Sequence, residues 1–104
     1  MINLPDYIIE SNIDYILHRL KDIASIRLKN ILNEYYMDLG IKNKKDIQYL
    51  SFKESLSIIL TGFYTEPVFE LRFNIYNENE LYIGYYQYLT EFDFTYVDEF
   101  FVAK

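Results

Sequence analysis

The sequence predicts an α+β domain, with N-terminal helices packed on a C-terminal antiparallel β-meander of three strands, or four. Three observations carry this reading. Between Ile13 and Leu39 the apolar residues recur every three, four or seven positions, the period of an amphipathic helix. From Val68 onward they alternate with polar residues, the period of a half-buried strand. The chain has 104 residues, 51% hydrophobic and 25% charged, with only 3 Gly and 2 Pro, which is enough apolar surface for one core and too few breakers for disorder. One domain spanning 1–104 is expected, helical over about 5–63 and sheet over about 67–103.

Ile13, Ile16, Leu17, Leu20, Ile23, Ala24, Ile31 and Tyr35 form the apolar stripe of the first helical region. Ser11 and Asp14 provide an N-cap signal, and Gly40 a left-handed stop. Pro5-Asp6 is compatible with an earlier turn, and Ala24-Ser25 is the place for a break if there are two helices. Asn43-Lys44-Lys45-Asp46 reads as a polar connector with one capped turn. Ser51-Phe52-Lys53-Glu54 is a capping box, followed by Phe52, Leu56, Ile59, Leu60 and Phe63 at helical spacing, so a short helix ending near Gly62 is expected. Leu56, Ile58 and Leu60 also alternate, which keeps a strand in play.

In the sheet, Phe69, Leu71, Phe73 and Ile75 alternate with Glu70, Arg72 and Asn74. Asn77 to Glu80 is a polar turn, Leu81 to Leu89 returns, and Thr90 to Asp93 leads into a third strand from about Thr95 to Val102. If Leu81, Ile83, Tyr85 and Leu89 face the helices, pleating sends Tyr82, Tyr86 and Tyr88 outward, with Gly84 a flat gap between them. Glu70, Arg72 and Asn74 then share that outer face, and the surface mixes tyrosines with carboxylates, Glu91, Asp93 and Glu99 among them. Asp98 interrupts the parity of the last strand, which calls for a bulge or for an internal donor such as Arg72 or a Tyr hydroxyl.

Charge is distributed unevenly. Met1 to Tyr64 holds eight Lys/Arg and eight Asp/Glu, whereas Thr65 to Lys104 holds two against eight, so the net charge of −6 resides in the last forty residues. Those residues also hold 12 of the 20 aromatics. A direct nucleic-acid binder needs the opposite sign, while an acidic, Tyr-rich surface suits a basic protein partner. With no Cys there is no thiolate nucleophile or Cys-ligated zinc, and the sole histidine, His18, has no Ser motif beside it. Gly40, Gly62 and Gly84 are isolated, so no phosphate-cradling loop is present, and Glu78, Glu80, Asp98 and Glu99 read as solvated surface. No catalytic residue, metal or cofactor is expected. Met1 leads into Ile2-Asn3-Leu4-Pro5-Asp6, neither a basic patch nor an apolar signal core, so a cytoplasmic chain with no membrane contact is expected.

The run from Phe69 to Tyr76, then Ile83-Gly84-Tyr85-Tyr86, then Val97-Asp98-Glu99-Phe100-Phe101-Val102 resembles the C-terminal meander of small bacterial immunity proteins, including those of contact-dependent growth inhibition systems. The resemblance covers about forty residues, contains no fixed signature and carries no residue over by position. It implies a protein that binds a cognate toxin domain, commonly an RNase or other nuclease, and blocks it; a monomer or weak dimer is expected. The residue types independently nominate Glu70, Tyr82, Tyr86, Tyr88, Glu91, Asp93 and Glu99 as the toxin-binding set, tyrosines anchoring and acids steering. The alternative is a small apolar-ligand site with Tyr and Asp as acid and base, since helices followed by a Tyr- and Phe-rich sheet loosely resemble the nuclear-transport-factor-like isomerases.

Overall fold

The computed structural model describes residues 13–60 and 66–104. Helix α1 (Ile13–Tyr35) runs without interruption through Ala24-Ser25 and passes into a 3-10 turn at Tyr36–Leu39. Gly40 closes that turn in the left-handed region, at φ 82°, and its N–H donates to the Met37 carbonyl, as its place in the sequence suggests. A second 3-10 turn occupies Lys44–Tyr49, where the polar connector was expected. The Ser11 cap and the Pro5-Asp6 turn lie outside the described residues.

Four strands follow: β1 (Ser51–Ile59), β2 (Val68–Tyr76), β3 (Tyr82–Thr90) and β4 (Tyr96–Ala103). They form one antiparallel meander in the order β1-β2-β3-β4. The fold is α+β with the fourth strand present, and the short helix expected from Ser51 is instead β1. Nine consecutive residue pairs with β2, from Ser51–Tyr76 to Ile59–Val68, outweigh the local capping-box signal. In that pairing Phe52, Leu56 and Ile58 face the core while Ser51, Lys53, Ser55 and Ser57 are exposed opposite them. Glu54, read as the box's closing acid, reaches instead to Lys21 of α1, with nitrogen 3.0 Å from its carboxylate. The proposed helix end at Gly62 and Phe63 lies outside the described residues.

The β2–β3 and β3–β4 turns use the same device. At Asn77 to Leu81 the Glu80 N–H donates to the Asn77 carbonyl, the Asn77 N–H donates to the Leu81 carbonyl, and Glu80 is left-handed at φ 63°. At Glu91 to Thr95 the Phe94 N–H donates to the Glu91 carbonyl, the Glu91 N–H donates to the Thr95 carbonyl, and Phe94 is left-handed at φ 72°. This is a tight turn followed by one αL residue, which matches the strand twist. The side chains of Asn77 and Asp93 lock the two turns by accepting from the Asn79 and Thr95 N–H groups, respectively.

The core lies between α1 and one face of the sheet. Ile16, Leu20, Ala24, Leu28 and Leu32 of the helix meet Phe69, Leu71, Phe73 and Ile75 of β2, with Tyr86 and Tyr88 of β3. Leu39 completes the lid by packing over Gly84. A Cβ at Gly84 would stand 2.5 Å from the Val102 carbonyl oxygen and 2.8 Å from the Leu39 side chain. The gap expected between tyrosines on the outer face is thus a filled contact on the inner one.

Candidate binding surface

Two bulges decide which side chains reach which face. Between β2 and β3 the register passes from Ile75–Gly84 to Tyr76–Tyr82, leaving Ile83 as the extra residue. Between β3 and β4 it passes from Leu89–Asp98 to Thr90–Tyr96, leaving Val97 extra. The first bulge separates Tyr82 from Tyr86 and Tyr88, so the three do not form a common stripe. Tyr82 is on the outer face, while Tyr86 and Tyr88 are in the core at 0% and 2% exposure. Tyr85, expected inside, is outside, directly opposite Asn74 and Val102. Gln87 on the parity assigned to the core was the available sequence signal for this inversion.

The second bulge turns Glu99 inward, opposite Tyr88, and leaves Asp98 on the outer face. Glu99 was expected outside with the acidic set; its partner is Arg27 of α1. Arg27 Nε and Nη2 donate to the two carboxylate oxygens at 2.8 and 3.2 Å, and the Tyr86 hydroxyl donates at 2.5 Å. The Arg27 guanidinium also lies 4.7 Å from the Tyr96 ring centre. Arg27 and Tyr86 hold the Glu99 carboxylate below its ordinary range, Arg27 contributing most. Burial first, and the Glu99 carboxylate second, push the Tyr86 hydroxyl far above the usual phenol range. Among the described residues no buried side-chain nitrogen or oxygen is left without a partner. No sequence spacing announces a pair 72 residues apart.

Asp98 meets its own requirement locally, accepting the Glu99 N–H at 2.8 Å. This is the bulge solution, not the Arg72 one. Arg72 is occupied on the outer face: its guanidinium carbon lies 3.7 Å from the Tyr85 ring centre, and it donates to Asn74 Oδ1 at 3.0 Å and to the Tyr82 hydroxyl at 3.3 Å.

Among the described residues, α1 and both 3-10 turns contribute to the core side of the sheet. Cross-strand rows order the outer face from one end to the other. Glu70, Leu89 and Asp98 form the first row, and Arg72, Gln87 and Phe100 the second. Asn74, Tyr85 and Val102 form the third, with Lys53 beside them on β1. Tyr76 and Tyr82 form the last, overlain by the ammonium groups of Lys53 at 5.0 Å and Lys104 at 5.8 Å respectively. Val68 and Leu89 are buried at the first-row end. The outer tyrosines therefore keep company with cations, and the carboxylates stand apart from them.

Five acids stand at the β3–β4 end. Exposed Glu66, Glu91 and Asp93 border a shallow hollow of about 340 Å³ with Pro67 and Phe92, and Glu70 and Asp98 mark the adjoining row of the sheet. The Thr95 side chain and backbone hold Asp93 below the usual carboxylate range, so it is charged at neutral pH. Of the seven nominated residues, Glu70, Glu91 and Asp93 lie in or beside this end, Tyr82 lies at the far end of the same face, and Tyr86, Tyr88 and Glu99 belong to the core side.

An apolar groove of about 360 Å³ opens between α1 and β1, lined by Leu28, Leu32, Ile47, Phe52 and Phe73 with Lys29 and Glu54 at its rim. His18 is exposed, 3.5 Å from Asp22 on the same helix. No helix among the described residues is long and apolar enough to cross a membrane. No protein-family model, curated protein or solved structure matches the chain.

Proposed function

We propose that this chain is an immunity-type inhibitor that binds a basic toxin domain, most simply a nuclease, in a stoichiometric complex and without chemistry of its own. The observation that carries the reading is the acidic end of the sheet, where Glu66, Glu91 and Asp93 surround a hollow and Glu70 and Asp98 adjoin it. Nucleases hold polyanions in cationic clefts, and carboxylates on a rigid turn can occupy such a cleft while steering its approach. Asp93 is fixed by Thr95 within a tight turn, so its charge is presented at little entropic cost. Tyr82 and Tyr85 remain as aromatic area on the neighbouring face; Tyr86, Tyr88 and Glu99 are withdrawn from the contact set because they support the core.

The test is co-expression with the toxin domain encoded immediately upstream, reading growth rescue together with association rates at low and high salt. Binding that rescues growth, with an association rate at low salt that drops about tenfold in the triple variant Glu66→Gln, Glu91→Gln, Asp93→Asn, supports the reading. Asn at position 93 keeps the side-chain oxygen that closes the turn. Rescue with an unchanged, salt-insensitive rate removes the acidic end from the mechanism, and neither binding nor rescue removes the function.

One observation favours the alternative of a small apolar ligand: the groove between α1 and β1 has the volume and lining of a modest ligand site. A rise in thermal stability with an excess of a small apolar compound, absent in Leu32→Glu, would move the assignment there.

A further inference from the structure

We infer that the free edge of β1 is a self-pairing surface, and that two copies of this chain join β1 to β1, antiparallel, about a two-fold axis at Ser55, continuing the two sheets into one of eight strands. The inference does not depend on the toxin-binding reading. Among the described residues β1 pairs with β2 alone, over nine residues without a bulge. Its other side is open: Ser51, Phe52, Lys53, Glu54 and Ser55 are exposed in succession, both faces alike, whereas Glu70, Arg72 and Asn74 on the outer face of β2 are half-buried. The unpaired N–H and C=O groups along such an edge are a template for another strand.

Proteins guard such edges with projecting charge, proline or a bulge, and β1 has none of these. Both of its charged side chains are turned back onto their own copy. The Lys53 ammonium lies 5.0 Å from the ring centre of Tyr76 on β2, and Glu54 is held by Lys21 of α1 at 3.0 Å. The opposite edge is guarded, since β4 carries the bulge at Val97 and sends Glu99 inward to Arg27.

Symmetry and charge set the register. A two-fold axis perpendicular to the sheet pairs β1 antiparallel with its copy and keeps both helices on one side of the joint sheet. Centred on Ser55, the midpoint of β1, it brings all nine residues into the ladder. Centred on Lys53 or Glu54 it would set like charges directly opposite each other, and centred further toward either end it would shorten the ladder. At Ser55 the pairing sets Phe52 opposite Ile58 of the second copy on the core face. Phe52, 41% exposed in the single copy, is thereby covered, beside the apolar groove that it lines with Leu28, Leu32 and Ile47. Nine residues at about 3.3 Å each give a strip about 30 Å long that covers about 400 Å² per copy, about half the standard interface, so the dimer is a weak one.

Analytical ultracentrifugation of the purified chain from about 1 to 500 μM tests this, with Ser55→Lys alone and in an equimolar mixture with Ser55→Glu. Ser55→Lys sets lysine against lysine across the axis, with Arg72 of each copy alongside. The expected result is a concentration-dependent dimer, weakened about tenfold or more in Ser55→Lys and restored to within about threefold of the wild type in the mixture, where lysine meets glutamate. Circular dichroism on each variant separates loss of pairing from loss of fold.

The chain has no cysteine, so a single introduced thiol gives an independent reading of the register. Ser55→Cys is expected to oxidise to a disulfide-linked dimer at least about tenfold faster than Ser57→Cys, whose two copies would lie about 13 Å apart along the strands. A monomer throughout the range, growth beyond the dimer, a folded Ser55→Lys that dimerises like the wild type, a mixture that does not recover, or equal rates of disulfide formation at the two positions overturns the inference.

Discussion

Arg27 of α1 holds Glu99 of β4 through both carboxylate oxygens, at 2.8 and 3.2 Å, and it can do so only because the extra residue Val97 turns Glu99 toward the helix. At the other flank of the helix, Lys21 reaches Glu54 of β1 at 3.0 Å. The helix is thus tied to both edge strands of the sheet, with its apolar stripe on the strands between. The Arg27 pair is the stronger tie, being bidentate, partly buried and shared with the Tyr86 hydroxyl.

Glu99→Gln is expected to lower stability by about 2 kcal/mol, because a charge-assisted, partly buried contact is replaced by neutral ones. The pH dependence follows from the depressed carboxylate. Its contribution is present above the unfolded-state value of about 4.3 and is lost as pH falls through the lower folded value. Urea midpoints taken from pH 7 to pH 2 should therefore fall less steeply below about pH 4.5 in Glu99→Gln than in the wild type.

Tyr86→Phe removes the hydroxyl donor and is expected to cost about 1 kcal/mol at neutral pH. The Tyr86 hydroxyl titrates far above its unfolded value of about 10, so its contribution is complete below that pH and is lost as pH rises toward the folded value. The loss of stability between about pH 10 and 12, followed by fluorescence, should be smaller in the phenylalanine variant.

Gly84→Ala is expected to cost at least 2 to 3 kcal/mol, about the upper range for overpacking. The added methyl meets a backbone oxygen at 2.5 Å as well as Leu39 at 2.8 Å. Leu39→Ala in the same chain should relieve only part of the cost, because the Val102 carbonyl cannot yield without moving β4. Chemical denaturation of the two single variants and the double separates the two contacts.

The two left-handed turn residues should respond differently to glycine. Glu80→Gly removes backbone strain from an exposed side chain and is expected to stabilise by about 0.5 to 1 kcal/mol. Phe94→Gly relieves the same strain but forfeits the ring that stacks on Phe69 at 5.8 Å and carries Arg19 at 4.5 Å, so it should destabilise. Thermal melts of the pair give opposite signs if the reading of these turns is right.

Much of the architecture was legible in the sequence because periodicity reports local geometry. The stop at Gly40, the alternation in β2 and the turn at Asn77 each depend on residues within a few positions of one another, and each is where the pattern puts it. Of the expected helix stripe Ile16, Leu20 and Ala24 are buried, whereas Ile13, Ile23 and Tyr35 are exposed, and Leu28 and Leu32, outside that stripe, complete the buried face. The clustering of acid in the last forty residues was equally visible, since it needs only counting.

What the tertiary structure alone decided was which face each side chain occupies. Ser51 to Ile59 satisfies both a capping box and an alternation, and only pairing along the whole of β2 selects the strand. In β3 both parities carry tyrosine, and Ile83 and Val97 as extra residues shift the count, so Tyr86, Tyr88 and Glu99 turn inward while Tyr85 and Asp98 turn out. A one-residue shift in a strand exchanges its faces, and the bulge that sets it is a property of two paired strands rather than of either sequence. The acid content was therefore written in the chain, whereas its division between a pair that holds the helix and an end left exposed was set by the register of the sheet.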